Sequence, residues 1–143
     1  MREHFAYGSN MDVKQMGTRC PSGELAGPGQ LAGFKFSINS RGVATIVPDE
    51  SGLVHGIIWR LTSADEDALD RYEGVRWGTY FKKTLSVQSS AGDSRQCLVY
   101  IAKDAQAGKA KTGYLERIIE EASRLGFPPS YVEELRSWIP TGV

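Results

Sequence analysis

Phe34, Phe36 and Ile38 alternate with Lys35, Ser37 and Asn39, the period of a strand with one face buried and the other in water. Two more extended segments follow with no helical pattern between them. Val43 to Val47 and Leu53 to Leu61 read as separate strands, with Pro48 to Gly52 as the turn that joins them. Strands linked by turns this short pair antiparallel, since a parallel pair needs a long crossover. Glu3 to Tyr7 reads as a first strand that stops at Gly8, and Tyr80 to Gln88 with Arg95 to Ala102 as a hairpin around Ala91-Gly92-Asp93. The expected fold is therefore α+β, built on a curled, mainly antiparallel sheet.

Helical signals fall between and after these strands. Met11 to Gly17 reads as a short helix entered through Gly8-Ser9-Asn10 and closed by Gly17. Ser63 and Glu66 fit a capping box for a second helix, which Leu69 and Tyr72 continue and Gly74 stops. Leu115, Ile118, Ile119, Ala122 and Leu125 recur at helical spacing before Gly126. Past Pro128-Pro129, Ser130 and Glu133 suggest another capping box and a last short helix. The segment Gly23 to Gly33 is rich in Gly and Pro and reads as a connection with one short extended piece.

At 143 residues the chain suits one continuous core, a single domain over 1–143, and no linker divides it. Lys+Arg and Asp+Glu are 17 each, and the positive residues are scattered, which argues against a nucleic-acid partner. No apolar run approaches the roughly 20 residues that span a bilayer, and the N-terminus passes directly into a strand without a signal-peptide pattern. Cys20 and Cys97 lack metal-ligand spacing and are too few for a disulfide framework. The reading is of a cytoplasmic protein with no membrane partner.

The usual catalytic constellations are missing. His4 and His55 are the two histidines, each inside a strand-like run, where packing explains them better than catalysis. Two histidines and two distant cysteines do not make a zinc site, so no metal is expected. Neither phosphate-binding glycine pattern is present, and no cofactor is called for. Two features remain. In Phe5-Ala6-Tyr7-Gly8-Ser9-Asn10, a strand runs into a small-residue turn and then a helix. Such a turn is either a plain helix cap or a place where several N–H groups meet an anion. In Leu69-Asp70-Arg71-Tyr72-Glu73-Gly74-Val75, Glu73 falls at the negative end of its helix dipole. It is either a solvated side chain on a frayed end, or a half-buried acid whose pKa is raised into the range of proton transfer.

Together with other segments in the same order, these two resemble the γ-glutamylcyclotransferase superfamily, which includes AIG2-like and BtrG-like proteins. The resemblance begins with Phe5 to Met11 and runs through Gly42-Val43-Ala44-Thr45-Ile46 and Val54-His55-Gly56-Ile57-Ile58-Trp59. It continues through Leu69 to Val75 and Gly78-Thr79-Tyr80, and ends in Gly113-Tyr114-Leu115, Gly126-Phe127-Pro128, Tyr131 and Leu135.

The resemblance implies a small mixed barrel-like sheet flanked by helices. It implies cleavage of a γ-glutamyl amide by the substrate's own α-amine, releasing 5-oxoproline and an amino acid or amine. Glu73 matches the family's catalytic glutamate, and Phe5, Ala6, Tyr7, Gly8, Ser9 and Asn10 match its substrate-binding loop. Tyr114 aligns with a tyrosine near the substrate, and Tyr80 lies at a matching distance after the glutamate. Family members include dimers, so a homodimer is left open. The expected partner is a small γ-glutamyl molecule. Related readings keep the chemistry but change the leaving group to a capped amine or antibiotic precursor, or keep the pocket without catalysis.

Overall fold

The computed structural model of the protein describes residues 2–139. In it the alternating segment at 34–38 is the end of a much longer strand. Five strands, β1 (Arg2–Ala6), β2 (Glu24–Ile38), β3 (Ala44–Leu61), β4 (Tyr80–Ser89) and β5 (Ser94–Ala102), close into a barrel in the order β1-β3-β2-β4-β5. All pairings are antiparallel except β1 with β5, where His4 lies opposite Leu98. This closing pair makes the barrel mixed. Helices α1 (Val13–Arg19), α2 (Ser63–Tyr72), α3 (Tyr114–Arg124) and α4 (Pro129–Arg136) flank it.

Two expectations about the strands are corrected. The Gly- and Pro-rich segment 23–33 is not a connection but most of β2, paired with β3 from Glu24↔Arg60 onward. Closure into a small barrel needs sharp bending, and glycines and bulges supply it. The register shifts between Leu25 and Gly27 and again between Ala32 and Phe34. A Cβ on Gly29 would sit 2.9 Å from Val87 Cγ1, so the missing side chain lets β2 pass close to β4.

The segments 43–47 and 53–61 are likewise one strand. Ala32 pairs with Leu53 and Phe34 with Pro48, so residues 49–52 bulge opposite the single residue Gly33 instead of reversing the chain. The turn chemistry there is local: Asp49 Oδ1 accepts the N–H of Ser51 at 3.0 Å.

The helix starts also differ in detail. Ser9–Met11 forms a 3-10 turn, and Asp12, not Ser9 or Asn10, caps α1 by accepting the N–H groups of Lys14 and Gln15. Gly17 lies inside α1 and does not end it. The capping box of α2 uses Thr62 and Asp65, one residue before the expected pair, which frees Glu66 to meet Lys82 at 2.7 Å. At α4, Pro128 is the N-cap without a side-chain bond, Pro129 starts the helix, and Glu133 faces Arg136 instead.

The core is one cluster that fills the barrel and continues under the helices. Phe5, Phe36, Ile38, Ile46, Ile57, Ile58 and Leu61 are buried in the sheet, and Leu69, Leu115, Ile118 and Leu135 on the helices. Residues of this kind contribute roughly 1.5–3 kcal/mol each when fully buried. The C-terminal end of α2 reaches the N-terminal turn, where Asn10 meets Glu73. No helix among the described residues is long and apolar enough to cross a membrane.

Candidate active site

Gly74 decides where Glu73 goes. With φ 67° it adopts the left-handed conformation that ends α2, and Glu73 becomes the C-cap residue with its N–H bonded to Leu69 O at 2.8 Å. The Glu73 side chain projects from that helix end into a cavity of about 300 Å³. Opposite it runs the segment after β1, where Phe5, Ala6, Tyr7, Gly8, Ser9 and Asn10 also line the cavity. Tyr80 at the start of β4 and Tyr114 at the start of α3 complete the set. All nine residues singled out in the sequence thus face one space.

Among the residues lining this cavity Glu73 is the sole carboxylate, against Arg41 and Lys111. Burial pushes its carboxyl up to about 7, while the hydrogen bond from Asn10 and the charge of Arg19 pull the other way. A group at this value exchanges a proton readily near neutrality. Its position at the carboxyl end of α2 is as expected, but loss of water is the leading cause of the shift.

The N-terminal turn is braced from several sides. Trp59 Nε1 donates to Asn10 O at 3.0 Å, and Tyr7 Oη donates to Tyr100 O at 2.6 Å. Met11 N–H reaches Gly8 O and Asp12 N–H reaches Ser9 O. The N–H groups of Gly8, Ser9 and Asn10, at the open start of the 3-10 turn, have no protein acceptor among the described residues. They are therefore available to an anion. A Cβ on Gly8 would lie 3.3 Å from Ala44 Cβ and 3.9 Å from Tyr114 Oη, so glycine keeps this turn close to both.

Tyr80 and Tyr114 grip the same peptide from opposite ends. Tyr80 Oη donates to Ala44 O at 2.6 Å, and Ala44 N–H donates to Tyr114 Oη at 3.0 Å. The Tyr114 oxygen is used as an acceptor, so its proton is left for another partner. Burial pushes the Tyr114 hydroxyl up to about 12 and raises that of Tyr80 further, so both stay protonated near neutrality.

Arg19 was not visible as a site residue in the sequence. Its Nη1 donates to Asn10 Oδ1 at 2.6 Å and to Ser9 Oγ at 3.2 Å, and Nη2 donates to Gln15 Oε1 at 2.7 Å and to the Tyr72 hydroxyl. The guanidinium carbon lies 3.6 Å from the Tyr72 ring centroid. Asn10 Nδ2 in turn donates to Glu73 Oε1 at 3.2 Å. Arg19 therefore acts on Glu73 through Asn10. A cation in the last turn of α1 is ordinarily explained by the helix dipole, so nothing in the sequence sets Arg19 apart. Tyr72, Arg41, Lys111 and Tyr100 also line the cavity and were likewise not singled out.

His4 and His55 are packed, as their strand positions suggested. His4 Nδ1 lies 3.1 Å from Leu98 O, and burial lowers its pKa to about 4. Cys20 and Cys97 are free and buried, with both thiols pushed up to about 11 by burial. Of the tryptophans, Trp59 is buried and Trp77 is 81% exposed. No group of three or more His, Cys, Asp or Glu side chains comes together among the described residues.

Residues 53–135 match the model of the AIG2-like family. The γ-glutamylcyclotransferase of Homo sapiens is 28% identical over 147 aligned positions, which cover 96% of this chain and 78% of that protein. That of Mus musculus is 27% identical with the same coverage. A solved structure of a γ-glutamyl cyclotransferase superposes with a TM-score of 0.89 at 26% identity, covering 99% of this chain and 90% of that one.

Proposed function

The chain belongs to the AIG2-like family, and from that premise we propose that it is an enzyme that cleaves γ-glutamyl amides by cyclisation. In this reading the chain works as one domain over 1–143, in the cytoplasm and without a cofactor. The observation that carries the proposal is the sole carboxylate of one cavity, Glu73, pushed by burial up to about 7, in a lining shared with Gly8, Ser9 and Asn10, whose N–H groups have no protein acceptor among the described residues.

The chemistry asks little of the protein. The α-amine and the γ-carbonyl belong to the same substrate, and their proximity supplies a large effective concentration. No enzyme nucleophile is required. Glu73 takes a proton from the α-ammonium, and the freed amine adds to the γ-carbonyl carbon. The carbonyl oxygen becomes an oxyanion, which backbone N–H groups of the turn suit. As the oxyanion collapses, the C–N bond to the leaving group breaks, Glu73 returns its proton to the departing nitrogen, and the surplus proton on the new ring nitrogen passes to the released amine, which leaves as its ammonium. The products are 5-oxoproline and a free amine or amino acid. One carboxyl group poised near 7 serves both transfers. The Tyr114 hydroxyl, with its proton unspent inside the protein, supports a donor role toward the substrate.

The test is incubation of the purified protein with a panel of γ-glutamyl amides, scoring 5-oxoproline by mass spectrometry. Release from the wild type, with a loss of at least about a hundredfold in Glu73→Gln, is the expected result. Equal turnover by Glu73→Gln would remove Glu73 from the mechanism. Silence of the wild type across amino-acid, amine and peptide conjugates, with ligand-dependent thermal stabilisation, would favour a binding protein.

A further inference from the structure

A second cavity, of about 400 Å³, opens beside the first and shares Gly8, Ser9, Tyr72, Lys111 and Tyr114 with it. A substrate whose γ-carbonyl meets Glu73 in the first cavity has its amide substituent free to extend across this common wall. The charged residues of the second cavity are Asp12, Arg19, Lys111, Arg117 and Glu121, one positive charge in excess. Three of the five are already engaged. Asp12 caps α1, Arg19 is held by Ser9, Asn10, Gln15 and Tyr72, and Glu121 pairs with Arg124. Lys111 and Arg117 have no carboxylate partner among the described residues.

We propose that the second cavity receives the leaving group, and that Lys111 and Arg117 hold a carboxylate which that group carries. The inference rests on the γ-glutamyl reading above and narrows it. The substrates are γ-glutamyl amino acids or peptides, in which a carboxylate lies a short distance beyond the scissile nitrogen. Conjugates of simple amines lack that group and leave both cations unpaired. Conjugates whose leaving group carries only an ammonium bring like charge against them. Tyr72, 54% exposed, offers an aromatic wall to the leaving group's side chain. Lys111 faces both cavities and Arg117 only the second, so Arg117 is the cleaner probe.

The experiment compares γ-glutamylalanine with γ-glutamylethylamine, which differ by the leaving group's carboxylate alone. Wild-type kcat/KM favours the alanine conjugate by roughly ten- to a hundredfold, the usual weight of one or two charge-assisted hydrogen bonds. Arg117→Gln shrinks that ratio and Lys111→Gln with Arg117→Gln abolishes it. A preference that survives the double substitution, or a wild type that favours the ethylamine conjugate, overturns the proposal. Binding of both compounds to Glu73→Gln by calorimetry separates the subsite from the reaction. If the wild type forms no 5-oxoproline from either compound, the reaction reading fails. The subsite then stands if the alanine conjugate binds more tightly and Arg117→Gln removes the difference, and falls if the two bind alike.

Discussion

Asn10 and Glu73 are joined by a hydrogen bond of 3.2 Å from Nδ2 to Oε1, and the direction of that bond is fixed on the far side of the amide. Arg19 Nη1 donates to Asn10 Oδ1 at 2.6 Å. A flipped amide would set its NH₂ against the guanidinium and its oxygen against the carboxylate. The guanidinium thus keeps a donor aimed at Glu73 and adds its own positive charge, both of which favour the ionised carboxylate.

With Glu73 as the base, kcat/KM of the wild type rises with pH through about 7, where the carboxylate forms. Asn10→Ala or Arg19→Gln removes a contact that lowers the pKa, so the rise moves to higher pH by on the order of one unit. Arg19→Lys keeps the charge and shifts the profile less. A loss of activity equal at every pH, with the midpoint unmoved, would reduce Arg19 to a structural brace.

Stability carries an opposite pair of signatures. Glu73 has a folded pKa of about 7, above its ordinary 4.5, so the folded state holds its proton more tightly than the unfolded state. Its contribution is therefore greatest below about 4.5 and is lost as pH rises through about 7, a cost of at most about 3 kcal/mol. His4 runs the other way. Its folded pKa of about 4 lies below 6.5, so its neutral form stabilises above 6.5 and that support is lost as pH falls toward 4. The two slopes oppose each other between about 4.5 and 6.5. Urea melts across this range should be nearly flat for the wild type and should climb with pH for Glu73→Gln. Glu73→Gln should also exceed the wild type in stability at pH 8. No gain at pH 8 would mean that water reaches the carboxylate freely.

The two tyrosines on Ala44 should separate in kinetics. Tyr114→Phe leaves Ala44 N–H without its acceptor and removes a hydroxyl proton from the cavity, so both stability and kcat fall. The stability loss is about 1–3 kcal/mol. Tyr80 spends its proton on Ala44 O, so Tyr80→Phe costs similar stability with a smaller change in kcat. Thermal melts and initial rates on the same preparations check both. A larger kcat loss in Tyr80→Phe would reverse the assignment of the donor.

These contrasts also mark what the sequence could reveal. Glu73 could be placed because its position depends on Gly74 beside it, and a helix stop is a local signal. The Tyr7-Gly8-Ser9 turn follows β1 directly and was readable for the same reason. Arg19, Lys111 and Arg117 were not, because each acquires its role only when α1 or α3 packs against that turn. The long strands failed differently. The Gly and Pro content of 23–33 and 48–52 signals a loop in an open chain, yet here it serves the bends and bulges of a small closed barrel. Local composition does not distinguish the two; closure does.

Closure also makes one glycine critical. A Cβ on Gly56 in β3 would lie 2.3 Å from Ala6 O and 2.7 Å from Phe5 Cζ, both in β1, the strand that leads into the turn at Tyr7. Gly56→Ala must push β1 away from β3, with a cost of about 1–3 kcal/mol or more. It should also misplace the N–H groups opposite Glu73, so 5-oxoproline formation falls beyond what the lost stability explains. Gly17→Ala is the control. Nothing lies within 4 Å of its Cβ, the residue sits inside α1, and alanine should stabilise that helix by about 0.5–1 kcal/mol. Urea melts with turnover at a pH where both variants are folded decide the matter. Normal turnover in Gly56→Ala would show that the β1–β3 approach does not set the geometry of the turn.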